Sequence, residues 1–271
     1  MTEDIKYIAD QYELELEELV RSAPGGKLTY EFLIQRIKEL YYPRVREVRK
    51  LNPIRVTTAR RLGSSYRTAV HVTLFREVKA DSLLKAKDEV SSAIGQRVSI
   101  TPLLLKPLAE VLKGSPFNAE LRDEVELIIY EDVNIAVAVQ TSAGLVAPVI
   151  RRVQERDFKE LLLEYRELVE RARSLKLKQK DLVGATFTIT NLGMYGIDFF
   201  TQIINPPQVS ILGVGTIKDK VIYEKDGLKN AKYMYVSLTF DHRAADGADA
   251  AEFLARLAER LENIKAENLL K

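Results

Sequence analysis

Two histidines, His71 and His242, and no cysteine bound the chemistry open to this chain. Without cysteine there is no disulfide, no thiolate nucleophile and no cysteine-ligated zinc. Two histidines are too few for a histidine-rich metal centre, so no metal site is expected. An imidazole is the side chain best suited to moving protons near neutral pH, and His242 has the more suggestive setting. It follows Tyr233 to Asp241, where Met234, Val236, Leu238 and Phe240 alternate with the period of a strand. His242 continues that apolar face just past the strand's end, where its ring is expected to be partly desolvated and rigidly held. The same pattern also suits a buried histidine satisfied by hydrogen bonds, with Asp246 as the N-cap of a following helix. A second row of interest is Thr186, Thr188 and Thr190, which share one strand face while Phe187 and Ile189 share the other. The strand preference of threonine alone accounts for that row.

The elements that must position these groups are legible by period. Helices are predicted over 54–65, 81–94, 102–113, 157–174 and 247–264. Strands are predicted over 71–78, 125–130, 133–140, 145–150, 184–190, 208–215, 221–224 and 233–241. Neighbouring strands joined by short turns, without strict alternation with helices, imply an α/β domain built on a mixed sheet. Ahead of it, residues 4–40 read as two short helices around a Pro24-Gly25-Gly26 turn, with Thr29 capping the second. The domain boundaries expected are therefore 1–40, a basic linker over 41–52, and 53–271.

Composition narrows the partners. Of 271 residues, 46% are hydrophobic, enough for a large core, and the net charge is +2. Nothing in that balance asks for nucleic acid or an anionic membrane. The start, Met1 to Lys6, is not a signal peptide. No apolar run approaches the roughly 18 residues that span a bilayer. A cytoplasmic location is the expectation.

The run Asp241-His242-Arg243-Ala244-Ala245-Asp246-Gly247 resembles the Asp-His-Arg-x-x-Asp-Gly signature of dihydrolipoamide acyltransferases, the acyltransferase components of 2-oxo acid dehydrogenase complexes. Thr186 to Gly196 is similar to that family's Phe-Thr-Ile-Ser-Asn-Leu-Gly-x-x-Gly stretch. Ile204 to Gln208, Ile211 to Gly215, Asp132 to Val139 and Gly144 to Ile150 follow in the family's order. The resemblance runs from Pro53 to Leu270 and implies a chloramphenicol acetyltransferase-like fold. It implies acyl transfer between the thiols of dihydrolipoamide and coenzyme A, with His242 as general base, Thr190 as oxyanion donor, and Asp246 as an organiser paired to Arg60 or Arg61. It places Asn191 and Gly215 at the coenzyme A site and His71 in a structural role. It further implies a homotrimer with His242 of one subunit facing Thr190 of the next, and assembly into a 24-mer or larger cage. Leu269 and Leu270 would fit the locking of such a cage, or a docked helix end.

Residues 1–40 resemble the family's peripheral-subunit-binding domain through Ile5 to Ala9 and Pro24 to Glu31. That domain docks the 2-oxo acid decarboxylase or dihydrolipoamide dehydrogenase, here through Lys6 and Lys27. Arg21 and Ala23 stand where the family prefers glycine, and Phe32 where it has a buried aspartate. No lipoyl domain is recognisable, so the lipoyl group is expected from another domain or chain. Asp219-Lys220-Val221 reads as a plain turn rather than a lipoate attachment site. Two alternatives stand beside this reading: a same-fold coenzyme A acyltransferase with a different acceptor, and a non-catalytic assembly scaffold.

Overall fold

The long strand that leads to His242 is the axis of the larger of two units. The computed structural model describes residues 2–224 and 227–270; Met1 and Lys271, which bound the expected domains, lie outside them. The chain divides into Met1–Leu51 and Asn52–Lys271.

Among its described residues the small unit holds three α-helices, α1 (Glu3–Gln11), α2 (Leu16–Ser22) and α3 (Tyr30–Tyr41). Its core is Ile5, Ala9, Leu19, Leu28, Leu33 and Ile37. Thr29 caps α3 by accepting from the Phe32 amide at 3.3 Å. Gly25 and Gly26 both sit at positive φ, the left-handed region glycine enters without a Cβ penalty. The two-helix expectation is therefore corrected to three. The missed helix is seven residues long and rich in glutamate. A helix so short is stabilised mainly by packing, here of buried Leu19, rather than by its own propensity.

In the large unit, Asn52 caps α4 (Pro53–Thr68) and Pro53 takes the first helical position, where its missing N–H costs nothing. There follow β1 (His71–Lys79), α5 (Asp81–Ile94), α6 (Ile100–Leu112), the hairpin β2 (Ala119–Arg122) and β3 (Glu126–Ile129), and β4 (Ile135–Val137). Next come the hairpin β5 (Val139–Thr141) and β6 (Gly144–Val146), then β7 (Val149–Ile150), α7 (Phe158–Arg173), β8 (Phe187–Asn191) and β9 (Ser210–Val214). The chain ends with β10 (Lys218–Glu224), β11 (Gly227–Asp241), α8 (Gly247–Glu262) and α9 (Ala266–Leu270).

The main sheet runs β1-β11-β9-β8-β4-β7, with β10 also on β11. β8 is parallel to β4 and β9, and the other pairings are antiparallel, so the expected mixed α/β sheet is what forms. Asp219, Lys220 and Val221 belong to β10, not to a turn; pairing with Asn230 to Lys232 of β11 overrides their polar local sequence.

The apolar face of β11 packs on helices whose own apolar residues recur at helical spacing, such as Phe253, Leu254, Leu257 and Leu261 of α8. Phe117 stacks edge-on against both Phe240 and Phe253. Burying such a side chain contributes roughly 2–3 kcal/mol. The opposite face of β11 is buried too, but it is polar. Ser237 and Thr239 are covered by residues 200–204, and Gln202 bonds to both. No helix among the described residues is long and apolar enough to cross a membrane.

Candidate active site

β11 ends at Asp241, directly opposite His71 of β1. Asp241 is buried, its side chain 5% exposed, and it carries an unusually full set of donors. Its carboxylate accepts from the amides of Val70 and Arg243 and from Nε and Nη2 of the Arg243 guanidinium. Burial alone would raise its pKa. The Arg243 guanidinium and the two amides outweigh that and hold the carboxyl below the ordinary carboxylate value. Arg243 reaches on to Glu124, at the tip of the β2–β3 hairpin, at 2.7 Å.

This arrangement predicts an acid-sensitive contribution to stability. A carboxyl whose folded pKa is depressed stabilises the fold above its unfolded value, near 3.9, and loses that contribution as pH falls through the folded value. Asp241→Asn should cost about 2–3 kcal/mol at pH 7, chiefly by removing the buried carboxylate on which the Arg243 guanidinium and two amides converge. Denaturation at pH 7 and near pH 3 should show the gap between wild type and variant closing at the lower pH.

His242 is anchored through its backbone, its amide donating to the Val70 carbonyl at 2.8 Å. Its side chain is 43% exposed, so the ring is partly shielded where it stands just past the end of β11. Nδ1 lies 3.7 Å from Asp246 Oδ1, beyond a hydrogen bond, and the ring sits 5.8 Å from that of Phe240. Asp246 opens α8, its amide donating to the Asp249 carboxylate, and its side chain is 82% exposed. Among the described residues no ion pair joins Asp246 to Arg60 or Arg61. The Arg61 guanidinium instead donates to the Pro206 carbonyl, so the expected pairing does not form within one chain.

His71 is committed to structure. Its Nε2 accepts from the Ile204 amide, which leaves Nδ1 to carry the hydrogen and donate to the Ala69 carbonyl. Both nitrogens are thereby occupied in holding the segment before β1 against residues 200–204.

Thr190 and Asn191 are adjacent on β8, so their side chains take opposite faces of the sheet. Thr190 lines a mainly apolar cavity of about 640 Å³ with Ile54, Arg61 and Leu62 of α4 and with Phe200 and Gln202. Asn191 lines another, of about 830 Å³, together with Gly215. There its Oδ1 accepts from the Gly193 amide and its Nδ2 donates to Thr101. The second cavity is rimmed by Lys87, Arg97, Arg166 and Arg173. The sequence does not single these cations out: Lys87 on α5 and Arg166 and Arg173 on α7 look like the ordinary solvated side of an amphipathic helix, and Arg97 lies in the segment after α5. The chain thus brings Asn191 and Gly215 together, puts Thr190 in a different cavity, and leaves His242 in neither.

Residues 43–269 match the family model described as 2-oxoacid dehydrogenases acyltransferase (catalytic domain). A dihydrolipoyllysine-residue acetyltransferase component of the pyruvate dehydrogenase complex from Rickettsia bellii is 34% identical over 95% of this chain. The match spans 65% of that relative's length, less than two thirds of it. Among solved structures, dihydrolipoamide acetyltransferase of Azotobacter vinelandii superposes with a TM-score of 0.79 at 35% identity, covering 85% of this chain and 97% of the other. The cubic core of a pyruvate dehydrogenase multienzyme complex gives 0.78 at 36% identity, with the same two coverages.

Proposed function

The chain belongs to the 2-oxoacid dehydrogenase acyltransferase family, and on that premise we propose that it transfers an acyl group between the thiols of coenzyme A and dihydrolipoamide. In this reading His242 is the general base, Thr190 the oxyanion donor and Asp246 an organiser of the turn that carries the imidazole. The incoming thiol, with a pKa near 8.5, is mostly protonated at neutral pH. The imidazole takes its proton as sulfur attacks the thioester carbonyl. The tetrahedral oxyanion is met by the Thr190 hydroxyl. Collapse expels the second sulfur, which takes the proton back from the imidazolium.

The observation that carries this reading is the pairing of an exposed, backbone-anchored imidazole with a threonine hydroxyl facing a separate cavity. Apart, neither can do acyl transfer; a contact between two copies can join them. A homotrimer with His242 of one subunit opposite Thr190 of the next meets that need. The A. vinelandii enzyme was studied through a serine, a histidine and an asparagine. Its serine precedes the histidine by the same interval as Thr190 precedes His242, and its asparagine follows by the same interval as Asp246. An aspartate here replaces that asparagine.

The cavity at Asn191 and Gly215 suits coenzyme A, since Lys87, Arg97, Arg166 and Arg173 line it and would supply positive charge for its phosphates. The trimers would build a 24-mer or larger cage, as in the cubic core the chain resembles. Residues 1–40 would serve as a peripheral-subunit-binding domain for the decarboxylase or dihydrolipoamide dehydrogenase, 41–52 as linker, and 53–271 as the catalytic domain. The lipoyl group would come from another domain or chain, and the setting would be cytoplasmic.

The test is incubation with acetyl-CoA and dihydrolipoamide. Thioester formation is expected, with Thr190→Val lowering kcat roughly 100- to 1,000-fold. Turnover only with another thiol would point to a different acceptor. Coenzyme A neither bound nor turned over would leave the scaffold reading.

A further inference from the structure

His242 is flanked by a pair of residues that its own chemistry does not require. Asp241 before it and Arg243 after it are joined by three side-chain contacts, Nε to both carboxylate oxygens and Nη2 to Oδ2, the last at 2.8 Å. Asp241 also accepts from the Val70 amide, while the His242 amide donates to the Val70 carbonyl. One residue of the neighbouring segment is therefore gripped on both sides, by the residue before the imidazole and by the backbone of the imidazole's own residue. Among the described residues the ring makes no side-chain hydrogen bond: Asp246 stands 3.7 Å away and largely exposed. The backbone beneath it sets where the imidazole stands.

We propose that Arg243 and Asp241 are positioning residues for His242, a planar side-chain clamp across the histidine that sets the turn on which the imidazole stands. The clamp depends on shape as well as charge. A guanidinium presents Nε and Nη2 in a rigid fork that meets both oxygens of one carboxylate, whereas an ammonium is a point charge on a flexible stem. The contact from Arg243 to Glu124 is of another kind, because the Glu124 side chain is 74% exposed and the pair is open to water. It is left outside the clamp. The inference rests on His242 being the base.

The decisive variant is Arg243→Lys, which keeps the charge and loses the fork. In the acetyl-CoA and dihydrolipoamide assay it should lower kcat roughly 10- to 100-fold with KM within about twofold, the mark of a displaced catalytic group. In the Asp241→Asn background the same substitution should cost less than about twofold more, since the clamp is already open. Because the chain has only two histidines, carbon labelling at histidine Cε1 gives one test signal and one reference. The His242 resonance should shift in Arg243→Lys while that of His71, bonded to backbone at both nitrogens, stays put.

A rise in KM at unchanged kcat would overturn the proposal, because Arg243 would then hold substrate directly. So would full independent losses in the double variant, movement of both histidine resonances together, or a silent Arg243→Lys. Retained turnover in His242→Ala sinks the base assignment instead, an outcome distinct from a silent clamp beside an inactive His242→Ala.

Discussion

Replacing His242 by alanine should lower the kcat of acyl transfer by roughly 100- to 10,000-fold while the fold survives intact. The second half of that expectation follows from where the residue sits. Its imidazole is 43% exposed and makes no side-chain hydrogen bond among the described residues, so little packing is lost with it. What holds the turn is the His242 amide on Val70, which alanine keeps. The loss should therefore appear in kinetics and not in the melting curve. His71→Ala should behave in the opposite way, because both of its ring nitrogens hold backbone groups.

The same variant also tests whether the site lies between subunits. Neither cavity contains His242, and Thr190 faces a cavity that its own chain's imidazole does not line. If two copies complete one site, His242→Ala and Thr190→Val subunits are each inactive alone but can restore one another when assembled together. A random mixture contains contacts at which an intact His242 meets an intact Thr190. Activity recovered on co-assembly, in proportion to those contacts, is the expected result. No recovery would mean that both groups must come from one chain, which the geometry of the single chain opposes.

Much of this was legible in the sequence, and the failures share one cause. β11 and α8 were readable because their core-facing residues recur at strand and helix periods over long stretches, Met234 to Phe240 and Ala250 to Leu261. α5 was readable because Gly95, in the left-handed conformation, ends it at the expected residue. Where the chain was misread, distant residues decide the outcome. α2 exists because Leu19 finds a core, and β10 because β11 accepts it. The basic rim of the Asn191 cavity gathers from α5, α7 and the segment at Arg97, which no local pattern connects. The burial of Asp241 at the end of β11 belongs to the same class, since Val70, one of the donors that satisfy it, lies far along the chain.

Gly215→Ala should be the most damaging single-methyl change in the large unit. A Cβ there would fall 1.8 Å from the Asp198 carbonyl oxygen and 2.8 Å from its carbon. No side-chain rotation relieves a clash with backbone, so the 193–198 segment has to move. That segment is tied down at close range: the Thr216 amide donates to the Ile197 carbonyl at 2.8 Å, and the Leu192 amide to Val214. It has little room on the near side either, since a Cβ at Gly193 would meet the Gly215 carbonyl oxygen at 2.5 Å. The two glycines let two backbones cross closely beside Asn191, and the crossing forms part of the wall of the 830 Å³ cavity. Overpacking of this kind costs about 3 kcal/mol, which for a unit of this size lowers Tm by roughly 6–12 °C. The cavity wall moves with the segment, so coenzyme A affinity should fall by more than about tenfold, measured by calorimetry below the lowered Tm. A variant that melts early yet binds normally would confine the role of Gly215 to packing and remove it from the coenzyme A site. A variant of unchanged Tm would show that the crossing of the two backbones is looser than the distances require.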